Sequence, residues 1–565
     1  MSVGISRVTR IGMEVASLVL STVGLLAGFK GAVDGLQLLT DIYHSFEDAS
    51  FYGVKFEVEK QRLHIWGEFF GFNDHANCEK LRAQPEVAQS LVLYILMEFQ
   101  DATTNLDKLN AKYGLRLVDT NIKTTANAHT KLKPKSDLLD RLAEAQRKSD
   151  SKLKWWKKGM PWTLDLAKFE KLLDRLEYLN DSLERVVPRV DLALLTQGLA
   201  SYLVPNPNIS YIDAYKNSSQ QYVAMCAAAK QIKLTSSIVS RVPVVSWSSI
   251  QPISSTEELE DGSTRALTVF QDPQTAFTQN ILIDWKMPNP SLTVSERDEI
   301  LARIKGMCLL FQEVSQNRSD HFRVLPCLGL IEDPEFARNN PGHKKHGFVF
   351  TYPSQDAGTP ESLYQGFKSQ KFVPVGTRFR LAQNLSSGIL LLHSSKWLHK
   401  NICSQNVIFF HPKRLPHPAS TEHLAAAYLT GFSYSRPDSP NQISLERPQL
   451  KGSFDFYRHP DYQNGHSRLN DIYSLGVVLF EIGHWKSIRT VYDQAKLTYT
   501  KESEIRQFLV DNCTVLAARM GEIYAAVVRR CLTGDFGVSP SSSDEGKLVR
   551  AFWSLVVREL DSCRA

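Results

Sequence analysis

Two rhythms of apolar residues divide this chain. From residue 13 to about 205, apolar side chains recur at i, i+3, i+4 and i+7, the stripe of an amphipathic helix, over 53–70, 86–113, 136–149 and 164–186. Leu166, Phe169, Leu172, Leu173, Leu176, Leu179 and Leu183 show it best. Pro188 and then Pro205-Asn206-Pro207 punctuate the end, and 205–240 reads as mixed polar sequence. From about residue 265 the rhythm changes to short β-type runs, Ala266–Phe270, Ile281–Trp285 and Phe348–Tyr352, followed by long helical runs from 377 onward. Strands first and helices later predict a two-lobed α+β domain. The expected fold class is therefore multidomain: an all-α helical bundle at 13–215, a connector at 216–244, and an α+β domain at 245–560, its N-lobe at about 245–352 and its C-lobe at about 353–560.

The first helix is the most apolar. Val15 to Phe29 carries no charge until Lys30. As a helix it spans roughly 22 Å, short of the ~30 Å hydrocarbon core. Arg7 and Arg10 upstream allow a secretory signal as a rival. The cleavage pattern for one is poor, however, and the periodicity runs on through Val33, Leu36 and Leu39. A buried bundle helix is the better reading. Gly24 and Gly28, then Gly31 and Gly35, have the small-xxx-small spacing that lets helices approach closely. Val15, Leu18, Leu25 and Phe29 are the residues such a helix would bring to a bilayer. Extended to Leu39, the segment would be long enough to span if Lys30 and Asp34 were paired or faced a pore.

Composition adds exclusions. The chain has 565 residues, 43% hydrophobic and 22% charged, which argues against wholesale disorder or a rod. The net charge of +6 is modest, so no nucleic-acid partner is expected. It matches the excess of one segment, Lys131 to Lys158, with ten Lys or Arg against four Asp or Glu, next to Trp155, Trp156 and Trp162. That segment reads as a solvated face with core tryptophans, or as an anionic-membrane contact. The eight cysteines form no CxxC pair and have no histidine at zinc spacing, so neither disulfides nor a metal are expected. A metal at the polar loop around His343 and His346 is likewise not expected. These points predict a cytosolic or membrane-peripheral protein.

Several N-terminal features occur in a telling order: Met13-Glu-Val-Ala-Ser-Leu18, the Gly-rich first helix, Arg62-Leu-His-Ile-Trp66-Gly67-Glu68, then Lys154-Trp155 and Lys168-Phe169-Glu170. Over about 13–215 they resemble the HeLo domain, the helical N-terminal domain of the fungal HET-s incompatibility protein and its relatives. The resemblance implies a cytoplasmic protein with conditional membrane association: a bundle that is soluble at rest and whose first helix can enter a membrane, to the harm of the cell. Members generally begin at the residue matching Met13, so translation from either Met1 or Met13 fits.

Over about 245–560 a second set of residues resembles the protein kinase fold. His399-Lys400-Asn401-Ile402-Cys403-Ser404-Gln405-Asn406 is similar to the catalytic loop H-R-D-L-x-x-x-N, and Leu381–His393 to the long helix before it. Asp471-Ile-Tyr-Ser-Leu-Gly476 resembles the buried helix whose Asp ties that loop together, and Tyr457-Arg-His-Pro460-Asp461 sits where A-P-E belongs. The chemistry is missing. Phosphoryl transfer needs one carboxylate as base and another to hold Mg²⁺. Asn401 stands at the first position and Gly431, before Phe432, at the second. Asn406 alone of the metal-binding set remains, and no Gly-rich phosphate loop precedes Val269. Lys286 of Ile283-Asp284-Trp285-Lys286 overlies the nucleotide lysine of V-A-I-K; it is a residual nucleotide contact or a solvated strand-end lysine. Asp284 beside it opposes ATP, and the partner glutamate is Glu296, Glu299 or absent. His399, Asp471 and Phe432 are expected to be structural.

The sequence therefore predicts a pseudokinase fused to a membrane-active bundle, in outline resembling the animal mixed-lineage kinase domain-like proteins. The leading function is non-catalytic signalling of the incompatibility or cell-death type. Its partners would be other signalling proteins, HeLo homologues among them, and an anionic membrane. No cofactor is expected; bound ATP and Mg²⁺ would favour the rival reading, an active or atypical protein kinase. A protein-interaction scaffold is the third.

Overall fold

A computed structural model describes residues 22–43, 50–72, 78–117, 162–205, 209–216, 220–232, 242–260, 262–316, 320–370, 372–413, 421–439, 445–446, 456–460, 465–495, 502–538 and 546–565. The 136–149 stripe, Val15 and Leu18, the Lys131–Lys158 cluster with Trp155 and Trp156, and Asp461 lie outside them. The chain forms two compact units, divided between Leu199 and Ala200.

The first unit is helical: α1 (Thr22–Tyr43), α2 (Ser50–Phe69), α3 (Glu86–Thr104) and α4 (Leu166–Glu184), with one short antiparallel pair, β1 (Leu115–Leu117) and β2 (Trp162–Leu164). Asp165 caps α4, its side chain accepting from the Lys168 N–H. The leucine stripe from Phe169 to Leu183 is buried. The glycines of α1 face α3. A Cβ on Gly28 would touch Leu93, one on Gly31 would lie 2.7 Å from Gln100, and one on Gly35 would lie 2.0 Å from the Thr103 hydroxyl. Helix α2 receives α1 similarly, because a Cβ on Gly67 would overlap the Phe29 ring. Phe29 also packs on Phe72, and Trp66 Nε1 donates to the Leu183 carbonyl.

One ion cluster joins α2 to α4. Arg62 is buried and bonds Glu59 (3.0 Å), Asp181 (2.6 Å) and Glu184 (2.9 Å). Asn180 Nδ2 donates to both the carbonyl and the carboxylate of Glu59. Burial, opposed by the Arg62 charge, pushes the Glu59 carboxyl up to about 7.

Early in the second unit, after a short helix at Ile209–Tyr215, comes α5 (Gln221–Lys230), a helix within the stretch 216–244 read as a connector. Its residues Tyr222, Val223, Met225, Cys226, Ala227 and Ala229 are buried, and the Ala229 carbonyl accepts from Trp397 Nε1. The boundary at 199/200 likewise falls before the expected end of the bundle at 215.

Next comes a five-stranded antiparallel sheet in the order β3 (Ser255–Glu258), β4 (Thr264–Gln271), β5 (Thr278–Lys286), β7 (His346–Thr351), β6 (Cys327–Glu332). Helix α6 (Val294–Gln316) lies between β5 and β6 in sequence. Ala266, Ile281, Ile283, Trp285, Ile331 and Val349 make one core of this sheet. The remainder is mainly helical, around α7 (Val375–Ser394), α8 (Arg468–His484) and α9 (Glu522–Thr533), and it also carries a three-stranded antiparallel sheet in which β9 (Val407–Pro412) lies between β8 (Ala357–Ser362) and Tyr428–Leu429. A mainly helical unit followed by a unit of helices and antiparallel sheets is the outcome.

Candidate functional site

The polar centre of the second unit lies where β4 and β5 meet the loop after α7. That loop needs two left-handed residues, Lys396 (φ 57°) and Lys400 (φ 70°), a conformation that costs a non-glycine residue about 1–2 kcal/mol. Asp471, in the first turn of α8, supplies compensation. Its fully buried carboxylate accepts from the His399 N–H (2.8 Å) and the Lys400 N–H (2.9 Å), and from the imidazoles of His393 (3.2 Å) and His466 (2.8 Å). Burial alone would raise its pKa, but the charge and hydrogen bonds of His466 and His393 outweigh burial and hold it well below the usual carboxylate range.

His399 is also fully buried, and burial pushes its pKa down to about 4, so the ring is neutral. Its Nδ1 accepts from the Asn401 N–H (3.2 Å), and its face lies 4.4 Å from the ring centre of Phe432. Phe432 in turn meets Phe311 of α6 at 4.8 Å. His399 and Phe432 thus sit together in one aromatic stack between α6 and the loop.

Asn406 is engaged through its whole amide: Nδ2 donates to the Asn401 carbonyl (3.0 Å), and Oδ1 accepts from Arg265 (3.3 Å). Arg265, on β4 and only 3% exposed, reaches from the sheet into the loop, donating also to the Thr430 hydroxyl (2.8 Å) and the Gln405 carbonyl (3.3 Å). Asp284 is its direct cross-strand neighbour on β5. The Asp284 carboxylate, fully buried, accepts from the Gly431 N–H at 2.8 Å. Gly431 adopts φ 78°, and a Cβ there would fall 2.4 Å from the Asn406 side chain.

Lys286 is not a solvated strand-end lysine. It is 6% exposed, pairs with Glu446 at 2.6 Å, and lies over the Tyr434 ring at 4.0 Å. The α6 glutamates are used otherwise: Glu296 accepts from Thr293 at the helix start, and Glu299 bonds Arg303. Lys400 donates to the Glu446 carbonyl (2.6 Å), and burial with the nearby cations Arg436, Arg303 and Lys286 pushes its pKa down to about 7. Tyr457 donates to Glu481 of α8, whose carboxyl burial drives up to about 8.

Chemically, Asn406, Arg265, Thr430, Asp284 and Gly431 bond one another, while Arg265 Nε is buried with no hydrogen-bond partner among the described residues. Arg265 and Glu446 were not legible as site residues. Arg265 stands just before the β-type run Ala266–Phe270, and only the strand register reveals that it opposes Asp284. Glu446 lies far from Lys286 in sequence, with no local pattern to mark it. Among the described residues, no group of three His, Cys, Asp or Glu side chains is placed to hold a metal.

In the first unit, Leu25 and Phe29 are buried, 2% and 5% exposed, within the bundle. No helix among the described residues is long and apolar enough to cross a membrane.

No curated protein matches this chain. Residues 296–562 match a family described only as a domain of unknown function, DUF7580. Residues 17–202 match the HeLo family, described as prion-inhibition and propagation.

Proposed function

We propose that this protein is a non-catalytic signalling protein of the fungal incompatibility type, in which a pseudokinase-like second unit controls a HeLo bundle acting at an anionic membrane. The observation that carries the non-catalytic part is the occupied centre. Arg265 and Asp284 descend from the sheet and take up the Asn406 amide, the Thr430 hydroxyl and the Gly431 N–H. In a kinase-like arrangement these are the groups that would face metal and phosphate. Asn401 cannot accept a proton as a carboxylate does, and the Lys286 ammonium is paired with the Glu446 carboxylate.

The HeLo match supports incompatibility-type signalling with other HeLo-containing proteins as partners. The buried face of α1 supports a bundle that must loosen before Leu25 or Phe29 could meet lipid. No cofactor enters this reading.

The test is a thermal-shift series on the full-length protein with ATP, with and without Mg²⁺. A ligand at 100 times its Kd adds about 2.7 kcal/mol, an easily read shift. The proposal expects none, and a Mg²⁺-dependent rise in Tm would favour an active or atypical kinase instead.

A further inference from the structure

Beside the Arg265 centre, a cavity of about 350 Å³ lies between the N-terminal half of α6, the chain leading into it from β5, and the loop before β7. Its size falls in the range of small-molecule sites, about 300–1,000 Å³. Leu292 from the approach and Ile300, Leu301 and Ile304 from α6 supply its apolar wall. Positions 300, 301 and 304 share one face of a helix. Val294 stands beside them, 66% exposed. Such a wall in contact with water is a cost that a ligand would relieve.

The polar lining is cationic on one side. The Arg297 guanidinium donates to His343 Nδ1 (3.0 Å) and the Gly342 carbonyl (3.4 Å), a ring nitrogen and an amide oxygen, and among the described residues no carboxylate bonds it. Lys344 lines the cavity too, its ammonium bonded to Glu332 and 64% exposed. His346 adds a ring whose pKa burial lowers. Two carboxylates share the lining: Asp298, exposed, and Glu446, already committed to Lys286. The α6 N-terminus does not compete for an anion, because Thr293 and Glu296 cap it.

We propose that this cavity binds a monomeric anionic amphiphile, a medium-chain carboxylic acid whose chain lies along Leu292, Ile300, Leu301 and Ile304 and whose carboxylate meets Arg297. An arginine fork bonded to uncharged groups has N–H donors left for a carboxylate, and charge-assisted pairs of this kind are roughly twice as strong as neutral ones. The inference is independent of whether the second unit is catalytic. Lys286 and Glu446 also line the cavity, so an occupant would touch the pair that closes the neighbouring centre.

Calorimetric titration of the full-length protein with dodecanoate, well below micelle formation, tests this. Saturable binding is expected in the wild type, abolished in Leu301→Trp, which fills the cavity, and weakened at least about tenfold in Arg297→Gln. Dodecyltrimethylammonium, with the same chain and the opposite charge, should not compete. Circular dichroism establishes that each variant is folded; should Leu301→Trp not fold, Arg297→Gln alone decides. Absence of saturable binding, affinity unchanged in the folded variants, or equal binding of the cationic analogue would overturn the proposal.

Discussion

Replacing Arg62 by Ala should open the α2–α4 contact, and the cost should grow with pH. The guanidinium is 4% exposed and serves three carboxylates, of which only Glu59 is comparably buried, at 9%. Asp181 and Glu184 are 47% and 27% exposed and can return to water, so each contributes about 1 kcal/mol or less. Most of the loss falls on Glu59, and stranding a buried charge costs about 3–5 kcal/mol.

The pH dependence follows from the same group. Burial already raises Glu59 to about 7, from an ordinary value of 4.5, and Arg62 is what opposes that rise. Without Arg62 the carboxyl moves higher, so it is neutral at low pH and the cost of holding or protonating it in the folded bundle grows as pH rises. A raised folded pKa gives stability that is fully present below the unfolded value and is lost as pH rises through the folded one. The variant should therefore lose least near pH 5 and most near pH 8.

Hydrogen exchange read on peptides from 50–69 and 166–184 isolates this unit from the rest of the chain. The double variant Arg62→Met with Glu59→Gln should recover much of the protection, because no charge is left stranded. A protection loss below about 1 kcal/mol, equal at both pH values, would refute the reasoning.

Three further outcomes are expected. Asp471→Asn should lower Tm by several degrees, because two backbone N–H groups and two imidazoles lose an ionised acceptor, a change of about 3–5 kcal/mol; an unchanged melting curve would show that the loop does not depend on it. Asn401→Asp alone should give no phosphotransfer from radiolabelled ATP to a generic acceptor, since Gly431 and Arg265 are untouched, and measurable labelling would contradict that. Gly35→Val should lower the melting temperature of the first unit by pushing α1 off Thr103, whereas a valine at exposed Gln37 should leave it nearly unchanged.

What the sequence made legible depended on how each element meets water. Helix α4 is buried on one stripe and exposed on the other, so its leucines announce it. The glycines of α1 were legible through their spacing, and the three at 28, 31 and 35 are where α3 comes closest. Helix α5 was invisible because Ala and Cys on most of its sides leave no stripe, and its polar flanks resembled a connector. Strand β3 has three exposed residues of four and no alternation, while β9 is a short apolar run that periodicity cannot separate from a helix. In the centre, Asn401, Asn406, Gly431 and Asp471 stood out by their motif spacing. Their partners Arg265 and Glu446 come from remote segments, and only strand register and tertiary packing join them.

The central claim is that β4 and β5 fill the place where a nucleotide would sit. Its most direct test is calorimetric titration of the full-length protein with ATP and Mg²⁺. The account predicts no saturable heat up to about 1 mM nucleotide, which corresponds to binding weaker than about −4 kcal/mol. A micromolar, Mg²⁺-dependent Kd would contradict it.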